Sequence, residues 1–137
     1  MQSLGNNNLF ISIDQEGGDV HRLRTVYGFE ETPSWNHIGL LKNELMTEEF
    51  SRSMATTLSG LGINLNFAPV LDLDHGAGKV ISDSKRAFSS DPKIVKKNSK
   101  IFVHQHRLLG VITCGKHFPG LGSASGDTHE GFTDISD

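Results

Sequence analysis

The chain has 137 residues, of which 36% are hydrophobic and 21% are charged, a composition typical of a single soluble globular domain. The net charge of −3 argues against a nucleic-acid partner, because such a partner usually requires a basic face. No apolar run approaches the ~20 residues needed to cross a bilayer, so no membrane span is predicted. The first residues show no signal peptide and Cys114 is the only cysteine, which leaves the cellular compartment open.

The first predicted element is a buried strand at residues 8–14, a short run of apolar and β-branched residues. The strand ends in Asp14, and residues 15–18, which are polar or glycine, follow it as a tight loop. Residues 19–35 show no hydrophobic period and are predicted to form a loop. A weak helical signal at residues 38–45 comes next.

A clearer helix and a second strand follow. Thr47 is the predicted N-cap of this helix, because two glutamates stand in the next turn, where the helix dipole favours anions. Gly60 and Gly62 are predicted to end the helix. Residues 63–71 then alternate in the manner of a strand, and residues 76–90 form a loop rich in glycine, serine and charge.

The last helix carries the most regular signal in the chain. Asp91 is the predicted N-cap, with Pro92 at the first helical position. Gly110 suits the helix C-cap. The helix between carries one apolar stripe, predicted to lie on the sheet, formed by Ile94, Val95, Ile101, Phe102, Leu108 and Leu109. Residues 111–114 form a third short strand that runs directly into a lysine and a histidine.

Strands that alternate with helices predict an α/β fold with a parallel sheet and about three βα units. Polar residues follow each strand: Asp14 the first, Asp72 and Asp74 the second, Lys116 and His117 the third. The carboxyl ends of parallel strands carry the active sites of (β/α)8 TIM-type barrels and also of open doubly wound sheets. The pattern alone therefore predicts the edge at which a site forms, and leaves both architectures open.

A closed TIM-type barrel requires about 250 residues. On the barrel interpretation, residues 1–137 are part of a single barrel domain that is truncated at both ends. Such a part leaves strand edges and apolar helix faces uncovered, so self-association is expected.

Two pairs of residues that include histidine could take part in proton transfer. Asp127 and His129 stand two apart in a glycine-rich loop, where the carboxylate can fix the imidazole tautomer and stabilise its charged form as a general acid/base. The alternative is a solvated turn in which Asp127 bonds the backbone. His104 and His106 also stand two apart, but on a helix, where they point to different sides, and neither is predicted to be functional.

Basic residues near the strand ends could donate hydrogen bonds to hydroxyls or anions. Lys116 and His117 directly follow the third strand, and Arg86 lies in the preceding long loop. The alternative is that these cations pair with Asp72 or Asp74. Asp14 could accept bonds from two sugar hydroxyls or could cap a neighbouring loop. No metal-ligand spacing, dinucleotide-binding glycine motif or serine nucleophile elbow is present, so neither a metal nor another cofactor is predicted.

Three segments, taken together and in this order, resemble glycoside hydrolase family 3, most closely its β-N-acetylglucosaminidase (β-hexosaminidase) branch. The resemblance covers residues 10–131. The segments are Ile13-Asp14-Gln15-Glu16-Gly17-Gly18 with Arg22, then Asn66-Phe67-Ala68-Pro69-Val70-Leu71-Asp72, then Lys116-His117-Phe118-Pro119-Gly120 with Asp127-Thr128-His129.

This resemblance implies a TIM-type barrel and a retaining exo-glycosidase that releases terminal β-linked N-acetylglucosamine, including peptidoglycan-derived sugars. Asp127 and His129 match the family's acid/base pair. The sugar-binding positions of the family match Asp14, Arg22, Arg86, Lys116 and His117. The match at Arg86 is looser than the others.

The resemblance also implies a nucleophilic aspartate that lies on a later strand. Asp134 and Asp137 follow the acid/base loop too closely to be that residue, so the chain by itself is expected to be inactive or nearly so. Three alternatives stay open on these motifs: a β-glucosidase, a glycosyl phosphorylase of the same family, and a non-catalytic sugar-binding remnant.

Overall fold

The structure, a computed structural model, describes residues 9–76 and 78–135. Its centre is a three-stranded parallel sheet in the order β1 (Ser12–Ile13), β2 (Leu65–Asn66) and β3 (Ile112–Thr113). Ser12 pairs with Leu65, and Leu65 pairs in turn with Ile112. The predicted parallel α/β sheet is thus confirmed, although each strand is shorter than predicted and residue 8 lies outside the described residues.

Three helices connect the strands. They are α1 (Trp35–Leu41), α2 (Glu44–Gly60) and α3 (Pro92–Leu108), with a 3₁₀ turn at Thr25–Tyr27 and a π-helical turn at Lys79–Asp83. No helix in the described part of the chain is long and apolar enough to span a bilayer.

The prediction for the start of α2 was wrong. Asn43 is the N-cap, and its side-chain oxygen accepts a hydrogen bond from the Leu45 amide at 3.1 Å. Thr47 lies inside the helix, fully buried, and its hydroxyl donates to Asn98 Oδ1 on α3 at 2.6 Å. Thr47 thus joins two helices instead of capping one, because a partner 51 residues away competes with the local capping signal.

Other helix boundaries differ by smaller amounts. The loop predicted at residues 19–35 ends earlier, because Ser34 accepts a bond from the His37 amide and begins α1 at Trp35. The Asp91 N-cap and the proline after it are confirmed, and the C-cap of α3 is Leu109, one residue before the predicted Gly110. Gly110 follows with φ 73°, the left-handed conformation that glycine adopts freely.

The core lies between the sheet and the helices, and it fixes the loop that carries Arg86. Trp35 contacts Phe88 and Phe102, with ring centroids 5.0 and 5.2 Å apart. A β-carbon at Gly39 would stand 1.8 Å from the Phe88 carbonyl oxygen, so α1 approaches this loop as only glycine permits. The loop is therefore held in place two residues from Arg86.

Candidate functional site

Glu16 is the centre of the polar cluster at the carboxyl ends of the strands. Its carboxylate is 1% exposed and forms a two-bond pair with Arg86, in which Nε and Nη2 each donate at 2.8 Å. The Lys116 ammonium lies 2.5 Å from the same carboxylate. The buried Glu16 carboxylate thus pairs with two cations, Arg86 and Lys116, which lie 70 and 100 residues away along the chain.

The sequence alone did not single out Glu16. One signal was available, since Glu16 stands in the polar segment directly after the first strand, two residues from Asp14. Burial lowers the pKa of the Arg86 guanidinium, but the hydrogen bonds and charge of Glu16 outweigh this effect and raise it above its usual value.

Lys116 also reaches Asp14, whose Oδ1 lies 2.7 Å from the ammonium nitrogen. The Asp14 side chain is 40% exposed, so this carboxylate faces outward while Glu16 stays buried beneath it. Of the pairings with Asp72 or Asp74 that the sequence left open, only that of His117 with Asp72 occurs, whereas Lys116 and Arg86 pair with Glu16. Asp74 instead accepts bonds from neutral groups, including the Ser82 hydroxyl at 2.6 Å.

His117 is fixed by Asp72 and Arg86. Its Nδ1 lies 2.6 Å from the buried Asp72 Oδ2, and its backbone amide donates to the same oxygen at 3.1 Å. Its Nε2 lies 3.2 Å from Arg86 Nη2. Because a guanidinium can only donate, Nε2 must accept and Nδ1 must carry the hydrogen. Both ring nitrogens of His117 are therefore engaged.

Asp72 holds its negative charge firmly. Burial raises the pKa of this carboxyl, but the hydrogen bond from the His117 side chain and that from the Leu121 amide outweigh burial. The pKa of Asp72 is consequently below its usual value. Asp72 thus takes the part that the sequence left open for it, as the partner of a basic residue at the strand ends.

Asp127 and His129 form a local pair in the loop after β3. Asp127 Oδ1 accepts from the His129 amide at 2.9 Å and from His129 Nδ1 at 2.7 Å. These bonds, first that from the amide and then that from the ring, lower the pKa of Asp127. The His129 side chain is 87% exposed, and within the described residues its Nε2 makes no hydrogen bond.

The seven residues singled out in the sequence thus fall into three groups. Asp14, Arg86, Lys116 and His117 form one connected cluster. The Asp127–His129 pair makes no hydrogen bond to that cluster within the described residues. Arg22 stands apart, with an exposed side chain and a backbone amide that donates to Gln15 Oε1 at 2.9 Å.

A cleft of about 680 Å³ opens beside the cluster, with Asp72, Lys116 and His117 on its wall. Carboxylate and ammonium groups at the wall of a cleft can exchange hydrogen bonds with a polyhydroxylated ligand. Within residues 9–76 and 78–135, no group of three or more histidine, cysteine or acidic side chains is arranged to hold a metal ion.

Several known proteins are similar to this chain in sequence, and some of them are also similar in solved structure. A β-hexosaminidase of Hydrogenovibrio crunogenus is 42% identical over 127 residues, covering 88% of this chain and 34% of the relative. The crystal structure of NagZ from Neisseria gonorrhoeae in complex with N-trifluoroacetyl-D-glucosamine matches 96% of this chain and 40% of its own, with a TM-score of 0.87 and 35% identity. A glycoside hydrolase family 3 β-N-acetylglucosaminidase from Paenibacillus matches 90% of this chain and 23% of its own, with a TM-score of 0.83 and 34% identity.

The chain spans about a third of the length of the curated relatives. Residues 2–137 match the glycosyl hydrolase family 3 N-terminal domain. That domain has a TIM-barrel-like fold, and the three parallel βα units described above are those of a partial barrel. The chain belongs to glycosyl hydrolase family 3, and it lies in the family's N-terminal domain.

Proposed function

We propose that this chain supplies the sugar-binding and proton-transfer residues of a retaining exo-β-N-acetylglucosaminidase. The observation that carries the proposal is the convergence of Asp14, Arg86, Lys116 and His117 around buried Glu16 at the ends of three parallel strands. The similarity to β-hexosaminidases and to a NagZ structure that holds a glucosamine derivative supports this substrate class.

The donors and acceptors that remain free in the cluster determine which of its residues can contact the sugar. Lys116 has three N–H groups, of which two are taken by Asp14 and Glu16, so one remains for a sugar hydroxyl. The outward oxygen of Asp14 can accept from a second hydroxyl. Arg86 gives most of its donors to Glu16, His117 and the Val80 carbonyl, which leaves it one. His117 has none left, and its role in the proposal is to orient Arg86.

Proton transfer is assigned to His129. As a carboxylate attacks the anomeric carbon and the glycosidic C–O bond breaks, His129 Nε2 gives its proton to the leaving oxygen. Water then attacks the glycosyl ester, His129 takes the proton of that water, and the sugar leaves with its original configuration. Asp127 holds the imidazole through Nδ1 and stabilises its charged form.

We place the attacking carboxylate on a segment outside residues 1–137. The resemblance to family 3 implies a nucleophile on a later strand, and Asp134 lies only five residues from His129. Asp137, which also follows the acid/base loop closely, lies outside the described residues. The short share of the relatives that the chain spans is compatible with this placement.

The substrate assignment is tested with a full-length enzyme that contains this chain. It should release 4-nitrophenol from the β-N-acetylglucosaminide much faster than from the β-glucoside, and added phosphate should leave the rate unchanged. A preference for the glucoside would favour the β-glucosidase alternative. Acceleration by phosphate, with formation of a sugar phosphate, would favour a phosphorylase. Binding of N-acetylglucosamine without turnover would favour the non-catalytic alternative.

Replacing His129 with alanine in the same enzyme tests the acid/base role. The rate with an unactivated leaving group should fall by about 10²-fold, since general acid catalysis contributes this much or more. Azide needs no deprotonation to attack, so it should restore turnover of the activated aryl substrate and yield a glycosyl azide. His104→Ala, on the exposed face of α3, is the matched control. Unchanged turnover of the unactivated substrate by His129→Ala would rule out the assignment.

A further inference from the structure

His106 is a fully buried polar side chain behind the candidate site. It lies on the inner face of α3, is 0% exposed, and stacks against Phe102 with ring centroids 3.9 Å apart. Burial of an imidazole costs free energy unless both ring nitrogens have partners. The hydrogen-bond partners of His106 connect it to the candidate site.

The two contacts of His106 define its tautomer. Nδ1 lies 3.0 Å from the Phe102 carbonyl oxygen, which can only accept a hydrogen bond. Nδ1 therefore carries the hydrogen, and the lone pair of Nε2 is left as an acceptor. Nε2 lies 3.3 Å from the Asn66 side-chain nitrogen, which donates to it.

Asn66 also forms hydrogen bonds to the loop after β1. Its Oδ1 accepts from the Gln15 amide at 3.1 Å, and its Nδ2 donates to the Gln15 carbonyl at 3.0 Å. The two N–H groups of the Asn66 amide are thus shared between Gln15 and His106, with the Met54 sulfur further away at 3.7 Å. In effect, the Asn66 side chain extends the pairing of β1 with β2 beyond the last backbone pair.

Gln15 stands between the two carboxylates that hold Lys116. Its neighbours are Asp14 and Glu16, which lie 2.7 and 2.5 Å from the lysine nitrogen. Its own side-chain oxygen accepts from the amides of Arg22 and Leu23 at 2.9 and 3.1 Å. The position of Gln15 therefore sets the position of both carboxylates and of the segment that carries Arg22.

We propose that His106 is a positioning residue for the sugar site: by accepting from Asn66 it orients the amide that clamps Gln15, and thereby fixes Asp14 and Glu16. The inference rests on the proposed function for its effect on catalysis, and on hydrogen-bond geometry alone for its effect on Gln15. His106 does not touch the sugar.

The test compares His106→Leu with His106→Gln in the full-length enzyme. Leucine is of similar size but offers no acceptor, whereas the glutamine Oε1 can take the place of Nε2. With leucine, the KM for the aryl β-N-acetylglucosaminide should rise about tenfold, because a displaced Asp14 would lose its hydrogen bond to a sugar hydroxyl, and such a bond is worth on the order of one decade of equilibrium constant. With glutamine, KM should stay within about threefold of wild type. In both variants kcat should be unchanged.

Two outcomes would overturn the positioning role. A purely structural role would reduce the amount of folded enzyme, so that the apparent kcat falls while KM stays constant. Equal KM values for the leucine and glutamine variants would show that the acceptor does not matter.

Nitrogen NMR of the wild-type enzyme separates this inference from the proposed function. With ¹⁵N-labelled histidine, His106 should show the Nδ1-protonated tautomer, and an Nε2-protonated ring would overturn the inference whatever the enzyme hydrolyses. If the enzyme hydrolyses no N-acetylglucosaminide, the proposed function fails. The amide resonances of Gln15 and Arg22 then test the positioning role by themselves. They should shift in His106→Leu and return in His106→Gln; unshifted resonances would reject the positioning role.

Discussion

Replacing Glu16 with glutamine should lower the free energy of unfolding by about 4 kcal/mol, as expected when one member of a buried ion pair is removed. Glutamine keeps the size of the side chain but removes the charge. Arg86, whose side chain is 11% exposed, and Lys116 would then share a buried edge without their common anion. Urea denaturation followed by circular dichroism measures the change as a shift of the midpoint at constant slope.

The matched control is Lys97→Gln, which breaks the ion pair between Lys97 and Glu44. Both side chains of that pair are more than half exposed, so its loss should cost less than about 1 kcal/mol. If Glu16→Gln costs no more than this control, Glu16 does not hold the cluster together. Arg86 and Lys116 would then have to be positioned by the loops that carry them.

The strand ends could be predicted because their signals are local. Runs of β-branched and apolar residues interrupted by polar ones placed Asp14, Lys116 and His117 at one edge of a sheet, and the structure brings all three to that edge. The hydrophobic period is read within a few residues, so it needs no knowledge of the rest of the chain.

The choice among partners could not be predicted, because it depends on contacts far apart in sequence: Asp72 was a possible partner of all three cations, yet only His117 pairs with it, and Glu16 was not among the possible partners. Glu16 meets Arg86 across 70 residues, and Asp72 meets His117 across 45. No periodicity within either segment encodes such a pairing. The same limitation explains why Thr47 was mistaken for a helix cap, since its partner Asn98 lies on another helix.

The buried face of α3 shows a second limit of hydrophobic pattern. Of the apolar stripe predicted to be buried, Val95 and Phe102 lie in the core, yet Leu108 is 64% exposed. The face that meets α2 and the sheet includes polar residues that form specific bonds, among them Asn98 and His106. Apolar residues therefore account for only part of the buried side, and the hydrogen bonds of Asn98 and His106 account for polar residues on it.

That polar burial makes stability depend on pH. Burial lowers the pKa of His106 from 6.5 to about 4, since the imidazolium form would be desolvated. Between pH 6.5 and pH 4 the unfolded chain therefore binds more protons than the folded one, so the free energy of unfolding falls as the pH falls. The full loss, reached below pH 4, is about 3 kcal/mol at 1.36 kcal/mol per pKa unit. Urea midpoints measured at intervals from pH 7.5 to 4 would follow it.

His106→Gln should remove this dependence, because glutamine does not titrate, whereas His104→Gln on the exposed face of the same helix should keep it. Asp72 does not obscure the comparison. Its lowered pKa means that its contribution is present above the ordinary value of 3.8 and is lost only as the pH falls below it. If the glutamine variant at position 106 loses stability between pH 6.5 and 4 as steeply as wild type, another group titrates there and His106 is not held neutral by burial.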